Sequence, residues 1–347
     1  MEIFKNPAIL SNILLLFSIS FLISLIGVIS MKFLSKKFHI FIDKADSNKP
    51  QRIHIAHTSR AGGVGIFLAF CLIFFAGDYL SLNLYFFIAF TIVFISGLSE
   101  DFSASLSPKT RLLIQLLGVC IGIFGVGAVI TDLSPIIKLP YFLGIAFSLF
   151  GIIGVCNAIN IIDGLNGLAG GICIMAFTAI GIAGFIVKAD FILLASIIGA
   201  GGVMGFIILN FPKGKIFLGD GGAYMLGFIL AILLSVLTQK NTYVSTWFGL
   251  TIMIYPVWEV LFSIYRRKIK RNLSPMQPDR MHLHMLLHKR VFKNNPLSSA
   301  IIWLFNLPFM ILGVIFMHRA WVLMGICIVF IIIYMIIYRR LVKFKFF

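Results

Sequence analysis

Charge is scarce in this chain, and acidic charge most of all. Of 347 residues only 12 are Asp or Glu, and charged residues of both signs make up 12%. A soluble domain of this size carries about a quarter charged residues, so a soluble globular fold is excluded. Cysteine is also sparse. Cys71, Cys120, Cys156, Cys173 and Cys327 all fall in or beside apolar segments and show no paired metal spacing, which leaves them as inert core residues. No cleavable signal-peptide pattern is present, because the first apolar run is long enough to be a span. The Gly62, Gly63, Gly65 cluster matches neither a dinucleotide nor a Walker pattern, which excludes a soluble nucleotide-binding fold.

What the chain has instead is hydrophobic length: 60% of it is hydrophobic, and residues 8–31 contain no Asp, Glu, Lys or Arg. About 20 such residues cross a bilayer, and a helix satisfies its backbone within one segment. The expected fold is all-α, a polytopic integral membrane protein forming a single transmembrane domain over 1–347. Apolar runs lie near 8–31, 62–77, 83–98, 112–130, 139–157, 168–187, 191–210, 221–238, 244–265, 298–317 and 320–338. They predict about 10–11 transmembrane helices.

Lys and Arg predict the orientation. With the N-terminus outside and the C-terminus cytoplasmic, the inner loops are 32–61, 99–111, 158–167, 211–220, 266–297 and the tail. Only Lys5, Lys138, Lys188, Lys240 and Arg319 fall outside them, so 24 of the 29 basic residues are inside. That asymmetry accounts for the net charge of +17 without nucleic acid, since no basic soluble domain exists to carry it. Six of the seven His also fall on the inner side, as do Glu100, Asp101, Asp163 and Asp220. The chemistry is therefore expected at the cytoplasmic face.

Five stretches could carry it. "NAINIIDGLNGLAGG" (157–171) places Asn157, Asn160, Asp163 and Asn166 at the turn between two spans. Its polar residues could cap helix ends, but a cap needs one of them, and polar clusters at membrane depth are costly and usually functional. "GLSEDFSASLSPKTR" (97–111) pairs Glu100 with Asp101, with only Lys109 and Arg111 nearby to compensate. The pair is either a solvated loop feature or a site for Mg²⁺ or a proton. "NFPKGKIFLGDGGAYMLGF" (210–228) puts Asp220 among glycines at a helix start, as an N-cap or as a Mg²⁺-diphosphate ligand. "HIAHTSRAGGVGIF" (54–67) offers His54 and Arg60 if that loop binds phosphate; its small residues could equally serve packing. "RRKIKRNLSPMQPDRMHLHMLLHKR" (266–290) begins with a basic run suited to anionic head groups. Its Arg280, His282, His284 and His288 lack zinc-ligand spacing and read better as phosphate donors. The second, sixth and eighth runs all start inside, so three helix N-termini with free N–H groups are expected to face one anionic substrate.

In order along the chain, these stretches resemble the motifs of the polyprenyl-phosphate N-acetylhexosamine-1-phosphate transferases. "GLSEDF" is similar to that family's Asp-Asp motif, "NAINIIDGLNGLAGG" to its Asn-rich motif ending Asp-Gly-x-Asp-Gly, and "FLGDGGAYMLG" to its Gly-Asp-x-Gly motif. "HIAHTSRAGG" resembles His-x-x-x-Thr-Pro-Arg-x-Gly-Gly. "PDRMHLHM" resembles the Pro-Asp-Arg-x-His-Ile-His-His loop of the N-acetylglucosamine-type members, and is unlike the triple-His loop of the muramoyl-pentapeptide branch. Four positions depart: Glu100 stands for Asp, Asn166 for Asp, Ser59 for Pro and Met285 for His.

The resemblance implies a multi-pass protein of the bacterial inner membrane. It would move N-acetylhexosamine 1-phosphate from a UDP-sugar, with UDP-N-acetylglucosamine foremost, to undecaprenyl phosphate, starting a lipid-linked cell-envelope glycan. It implies Mg²⁺, with Mn²⁺ as the alternative ion, held by Asp220 with Asn160 or Asp163. Asp101, Glu100 and Asp163 would be the catalytic carboxylates, with Asp101 facing the lipid phosphate. Asn166 would lie near the uridine, Arg280, His282 and His284 near the diphosphate, and Asn157, Asn160, His54, Arg60 and Lys109 would complete substrate binding. Partners would be the UDP-sugar, the lipid acceptor, membrane lipid and a second copy as a homodimer. A polyprenyl-lipid transporter or an inactive relative are the alternatives; a transporter should carry paired broken helices.

Overall fold

The computed structural model describes residues 7–43, 58–75, 80–103, 106–270 and 281–343. Each apolar run becomes helix: α1 (Pro7–Phe38), α2 (Gly62–Phe70), α3 (Leu80–Ser103), α4 (Pro108–Val126), α5 (Tyr141–Ile162), α6 (Leu168–Ile186), α7 (Asp190–Asn210) and α8 (Gly219–Lys240). After α8 come α9 (Thr246–Ile252), α10 (Ile254–Tyr265), the short α11 (Leu283–Leu287), α12 (Asn295–Ile315) and α13 (Ala320–Lys343). Two small antiparallel pairs, Ile42–Asp43 with Thr58–Ser59 and Asp132–Leu133 with Ile137–Lys138, tie loops at the bundle ends.

Among the described residues nine helices are long and apolar enough to cross a membrane, and the α9–α10 pair, bent by 78°, makes a tenth. The second expected span falls short of that length: its apolar helix runs only Gly62–Phe74, below the roughly 20 residues a crossing needs. Its placement compensates, since α2 packs between α1, α7 and α8 with Ile66, Ala69 and Phe70 fully buried. One bent pair is present among the described residues, not the two a transporter would show.

Local chemistry sets several boundaries. Ser107 caps α4 by accepting the Thr110 N–H at 3.2 Å, with Pro108 at the first helical position. Asn294 does the same for α12 through the Leu297 N–H at 3.0 Å. Between spans, small residues permit close approach, because lipid offers apolar groups no incentive to leave it and packing must hold helices together. Ser20 and Ser24 of α1 donate to the Ile198 and Gly202 carbonyls of α7, both at 2.6 Å.

The central element is α8. Apart from Asp220, every residue from Gly219 to Thr238 is buried, and its neighbours are α2, α3, α4, α5, α6 and α9. Gly97 of α3 lies against the start of α8, where an added Cβ would meet the Asp220 carbonyl carbon and the Gly221 nitrogen. That contact seats the end of α3 on the start of α8. We expect Gly97→Ala to lower the thermal midpoint of the detergent-solubilised protein, by the about 1–3 kcal/mol typical of overpacking or more. Gly151→Ala, where nothing lies within 4 Å, should leave the midpoint unchanged. Equal midpoints for the two variants would remove this contact from the account.

Candidate active site

α8 starts at Gly219, whose φ of 80° turns the chain into the helix. This is a conformation that glycine adopts without the steric penalty of a Cβ. Two residues before the end of α3, Asp101 directs its carboxylate at that start. Oδ1 accepts the Asp220 N–H at 3.0 Å and Oδ2 accepts the Gly221 N–H at 2.9 Å. Asp101 is 7% exposed, so a carboxylate from another helix caps α8, where the helix dipole also favours negative charge.

Asp220 is the hub. Its Oδ1 accepts from Arg60 Nη2 at 2.7 Å and from Asn160 Nδ2 at 3.2 Å, while its Oδ2 accepts from Arg111 Nη1 at 2.8 Å. The same Arg60 nitrogen lies 3.3 Å from Asp101 Oδ1. Asp163, at the C-terminal end of α5, completes the group. Burial holds its carboxyl well above the usual carboxylate range; the Asp220 charge raises it further, Arg60 opposes, and Asp101 adds. Asp101, Asp163 and Asp220, from three separate parts of the chain, thus share one end of the bundle.

The remaining expected residues sort themselves around this hub. Asn157, one turn before Asn160, donates to the Ile153 carbonyl at 2.8 Å and to Gln115 Oε1 at 3.4 Å. Asn166 is tied to the 210–216 loop: its Nδ2 donates to the Pro212 carbonyl at 2.9 Å, and its backbone N–H donates to Asn295 Oδ1 at 2.7 Å. Among the described residues it makes no hydrogen bond to the three carboxylates. Glu100 is half-buried and Lys109 exposed. Arg111, not Lys109, reaches Asp220, because Lys109 lies in the first exposed turn of α4 and Arg111 half a turn further on. His54 and Arg280 lie outside the described residues.

The histidine segment is more deeply placed than a solvated loop would be. His282 and His284 are 2% and 1% exposed, with rings stacked 5.5 Å apart. Burial pushes His284 down to about 3, against the pull of Glu259, so its imidazole is neutral and offers one N–H rather than a charge. Glu259, on α10, bonds both to His282 and to the Leu283 backbone. Sequence reading missed Arg111, Gln115 and Glu259 as site residues. For Arg111 the signal was present, in the few basic residues after the Glu100–Asp101 pair. For Glu259 it was its isolation as an acid within an apolar run.

One expectation is narrowed. At the three helix starts protein acceptors take several of the leading N–H groups. Gly62 and Gly63 donate to the Phe217 and Leu218 carbonyls, both at 2.9 Å, and Gly167 donates to Asn210 Oδ1 at 2.6 Å. Asp101 closes α8. Arg60 and Arg111 stand beside the start of α8, so an anion there meets guanidiniums.

The oxygens of Asp220, Asp163 and Asn160 are hard donors of the kind that suit Mg²⁺ or Mn²⁺. Among the described residues no three His, Cys, Asp or Glu side chains form a ready metal cage. That fits an ion held by one or two carboxylates together with substrate phosphates.

These features define an integral membrane protein whose helical bundle carries, at one end, a centre of carboxylates, amides and guanidiniums. Residues 83–238, spanning α3 to α8, match the family described as glycosyl transferase family 4. Over 326 residues the chain is 30% identical to a Bacillus subtilis (strain 168) protein, "Probable undecaprenyl-phosphate N-acetylglucosaminyl 1-phosphate transferase", covering 91% of this chain and 88% of that one. It is 27% identical to the "Undecaprenyl-phosphate alpha-N-acetylglucosaminyl 1-phosphate transferase" of Salmonella typhi over 271 residues and of Escherichia coli (strain K12) over 274, each covering 75% of this chain and 73% of the relative. The chain belongs to glycosyl transferase family 4.

The capping geometry has a direct test. Asp101→Asn keeps one acceptor oxygen but turns an amide N–H₂ toward a backbone donor. The thermal midpoint of the substrate-free protein should fall, by an amount corresponding to about 1–2 kcal/mol. Glu100→Gln should leave it unchanged. An unaltered midpoint in Asp101→Asn would mean that α8 does not depend on this carboxylate.

Proposed function

We propose that the protein transfers N-acetylhexosamine 1-phosphate from a UDP-sugar to undecaprenyl phosphate, releasing UMP, and that UDP-N-acetylglucosamine is the donor. What supports this is the meeting of Asp101, Asp163 and Asp220 with Arg60 and Arg111 at one end of an apolar bundle, in a chain whose relatives carry that activity in their names. There a water-soluble diphosphate can meet a lipid-borne phosphate. The Lys and Arg asymmetry supports a cytoplasmic site in a bacterial inner membrane, with the N-terminus outside.

In the reaction an acceptor phosphate oxygen bonds to the β-phosphorus of the donor. The bond from that phosphorus to the oxygen bridging the α-phosphate breaks, and its electron pair leaves with UMP. A phosphomonoester has a second pKa of about 6, so the acceptor is largely dianionic at neutral pH and needs no strong base. Glu100 and Asp163 suffice to align it or to take a residual proton, while Asp101 acts by holding the start of α8. Asp220, Asp163 and Asn160 would hold Mg²⁺, which when bound offsets charge on the diphosphate and on the departing UMP. Arg60 and Arg111, which bond to Asp220 at 2.7 and 2.8 Å, would offer the same guanidinium N–H groups to phosphate oxygens of the donor. Lys109, His282 and His284 would add N–H donors toward the donor, with Asn157 and Asn166 shaping the turn beside it; His54 and Arg280, expected in the same role, lie outside the described residues.

Purified protein given UDP-N-acetylglucosamine, Mg²⁺ and undecaprenyl phosphate should release UMP and yield a lipid heavier by one N-acetylhexosamine phosphate in the mass spectrum. Asp220→Ala should lower UMP release at least about 100-fold, and Arg111→Ala should raise KM for the donor more than for the acceptor. A panel of UDP-sugars identifies the one used. No UMP from the wild type with any of them would overturn the assignment, and full activity in Asp220→Ala would remove the metal role.

A further inference from the structure

Glu259 stands in the middle of α10, 1% exposed, in a span otherwise free of acidic residues. A carboxylate taken out of water at that depth is costly unless fully hydrogen-bonded, and both oxygens of Glu259 are engaged. Oε1 accepts the Leu283 N–H at 2.9 Å, and Oε2 pairs with His282 Nδ1 at 3.0 Å. One turn earlier on the same helix, the Tyr255 hydroxyl lies 3.4 Å from His284 Nδ1. A single face of α10 therefore holds both histidines, which stack on each other.

The far side of this arrangement meets the centre described above. His284 Nε2 lies 3.0 Å from where a Cβ on residue 164 would stand. The ring thus fills the space that Gly164 leaves open, next in sequence to Asp163. The chain of contact runs from Glu259 through His282 and His284 to the Asp163–Gly164 turn. Because a carboxylate only accepts, the His282 nitrogen that faces it carries a proton, and a ring that also donates from Nε2 to a phosphate oxygen is doubly protonated, with Glu259 as the acceptor for its second N–H.

We infer that Glu259 is a positioning residue for donor binding: from within the membrane span it orients His282 and seats the 281–287 segment against the Asp163–Gly164 turn. The inference rests on the proposed contact of His282 and His284 with the donor diphosphate. Glu259 itself touches neither substrate. A glutamine in its place can still accept from Leu283, but it carries no charge to balance a ring that donates from both nitrogens, and its N–H₂ set against Nδ1 removes the acceptor such a ring needs.

Two measurements on the full-length protein test this. By hydrogen exchange, Glu259→Gln should speed exchange at residues 281–287 while the thermal midpoint stays near that of wild type. In the UMP assay, Glu259→Gln should raise KM for UDP-N-acetylglucosamine about tenfold or more, the size of one lost charge-assisted hydrogen bond, with KM for the lipid acceptor unchanged. His282→Ala should do the same, and the double variant should be no worse than either single one. Glu259→Asp should restore part of the loss. Unchanged exchange at 281–287, an unchanged donor KM, additive effects in the double variant, or a parallel rise in both KM values would each overturn the inference. Faster exchange in Glu259→Gln alongside a wild type that releases no UMP would uphold the clasp and overturn the transferase reading instead.

Discussion

The carboxylate of Asp101, set against the first backbone N–H groups of α8, is the interaction on which the rest of this protein depends. It places the end of α3 on the start of α8, and so delivers Asp220 to the two arginines and to Asn160. The close approach at Gly97 makes the contact sterically feasible. Without it, the first turn of α8 would lose the acceptor for two of its N–H groups, and Asp220 would be held less firmly against the guanidiniums. Buried ionic groups usually cost more in desolvation than they return. Here the cost is met by backbone donors that need a partner in any case, so one carboxylate serves both a helix end and a charged cluster.

Much of the architecture was legible in the sequence because a bilayer permits so few solutions. Residues 8–31 or 320–338 have no alternative to helix, and the Lys and Arg count separates two sets of loops. The second run, read as 62–77, is helical from Gly62 to Phe75, but it is shorter than the helices that cross a bilayer alone. Its glycines and small residues resemble those of a full span, but Gly62–Phe74 is enclosed by longer neighbours and does not need to cross alone. The candidate site was legible where polar residues interrupt apolar sequence, as at Asn160, Asp163 and Asp220. It was hidden where partners are remote. Glu259 and His282 are 23 positions apart, and nothing local to either indicates the other. Lys109 and Arg111 differ only in their place on the first turn of α4, a distinction that emerges once the helix direction is known.

The helix starts teach a related lesson. A glycine-rich helix N-terminus is a ready anion site when its N–H groups are free, and motif spacing alone predicts that here. In a densely packed membrane protein those same glycines let neighbouring backbones come close enough to accept the N–H groups themselves. At Gly62 and Gly63 the acceptors are carbonyls from the segment that leads into α8. Small residues therefore signalled intimate packing as much as ligand binding, and only geometry separated the two.

The full enclosure of α8 has a mechanical meaning. A helix in contact with lipid can tilt when the bilayer thins or thickens, at a cost of a fraction of a kcal/mol per Å. Ringed by six other helices, α8 has no such freedom of its own, and Asp220 at one end and Lys240 at the other move only if the whole bundle moves. The position of the charged centre within the bundle is thereby insulated from the composition of the surrounding membrane, and the adaptation is left to the outer helices.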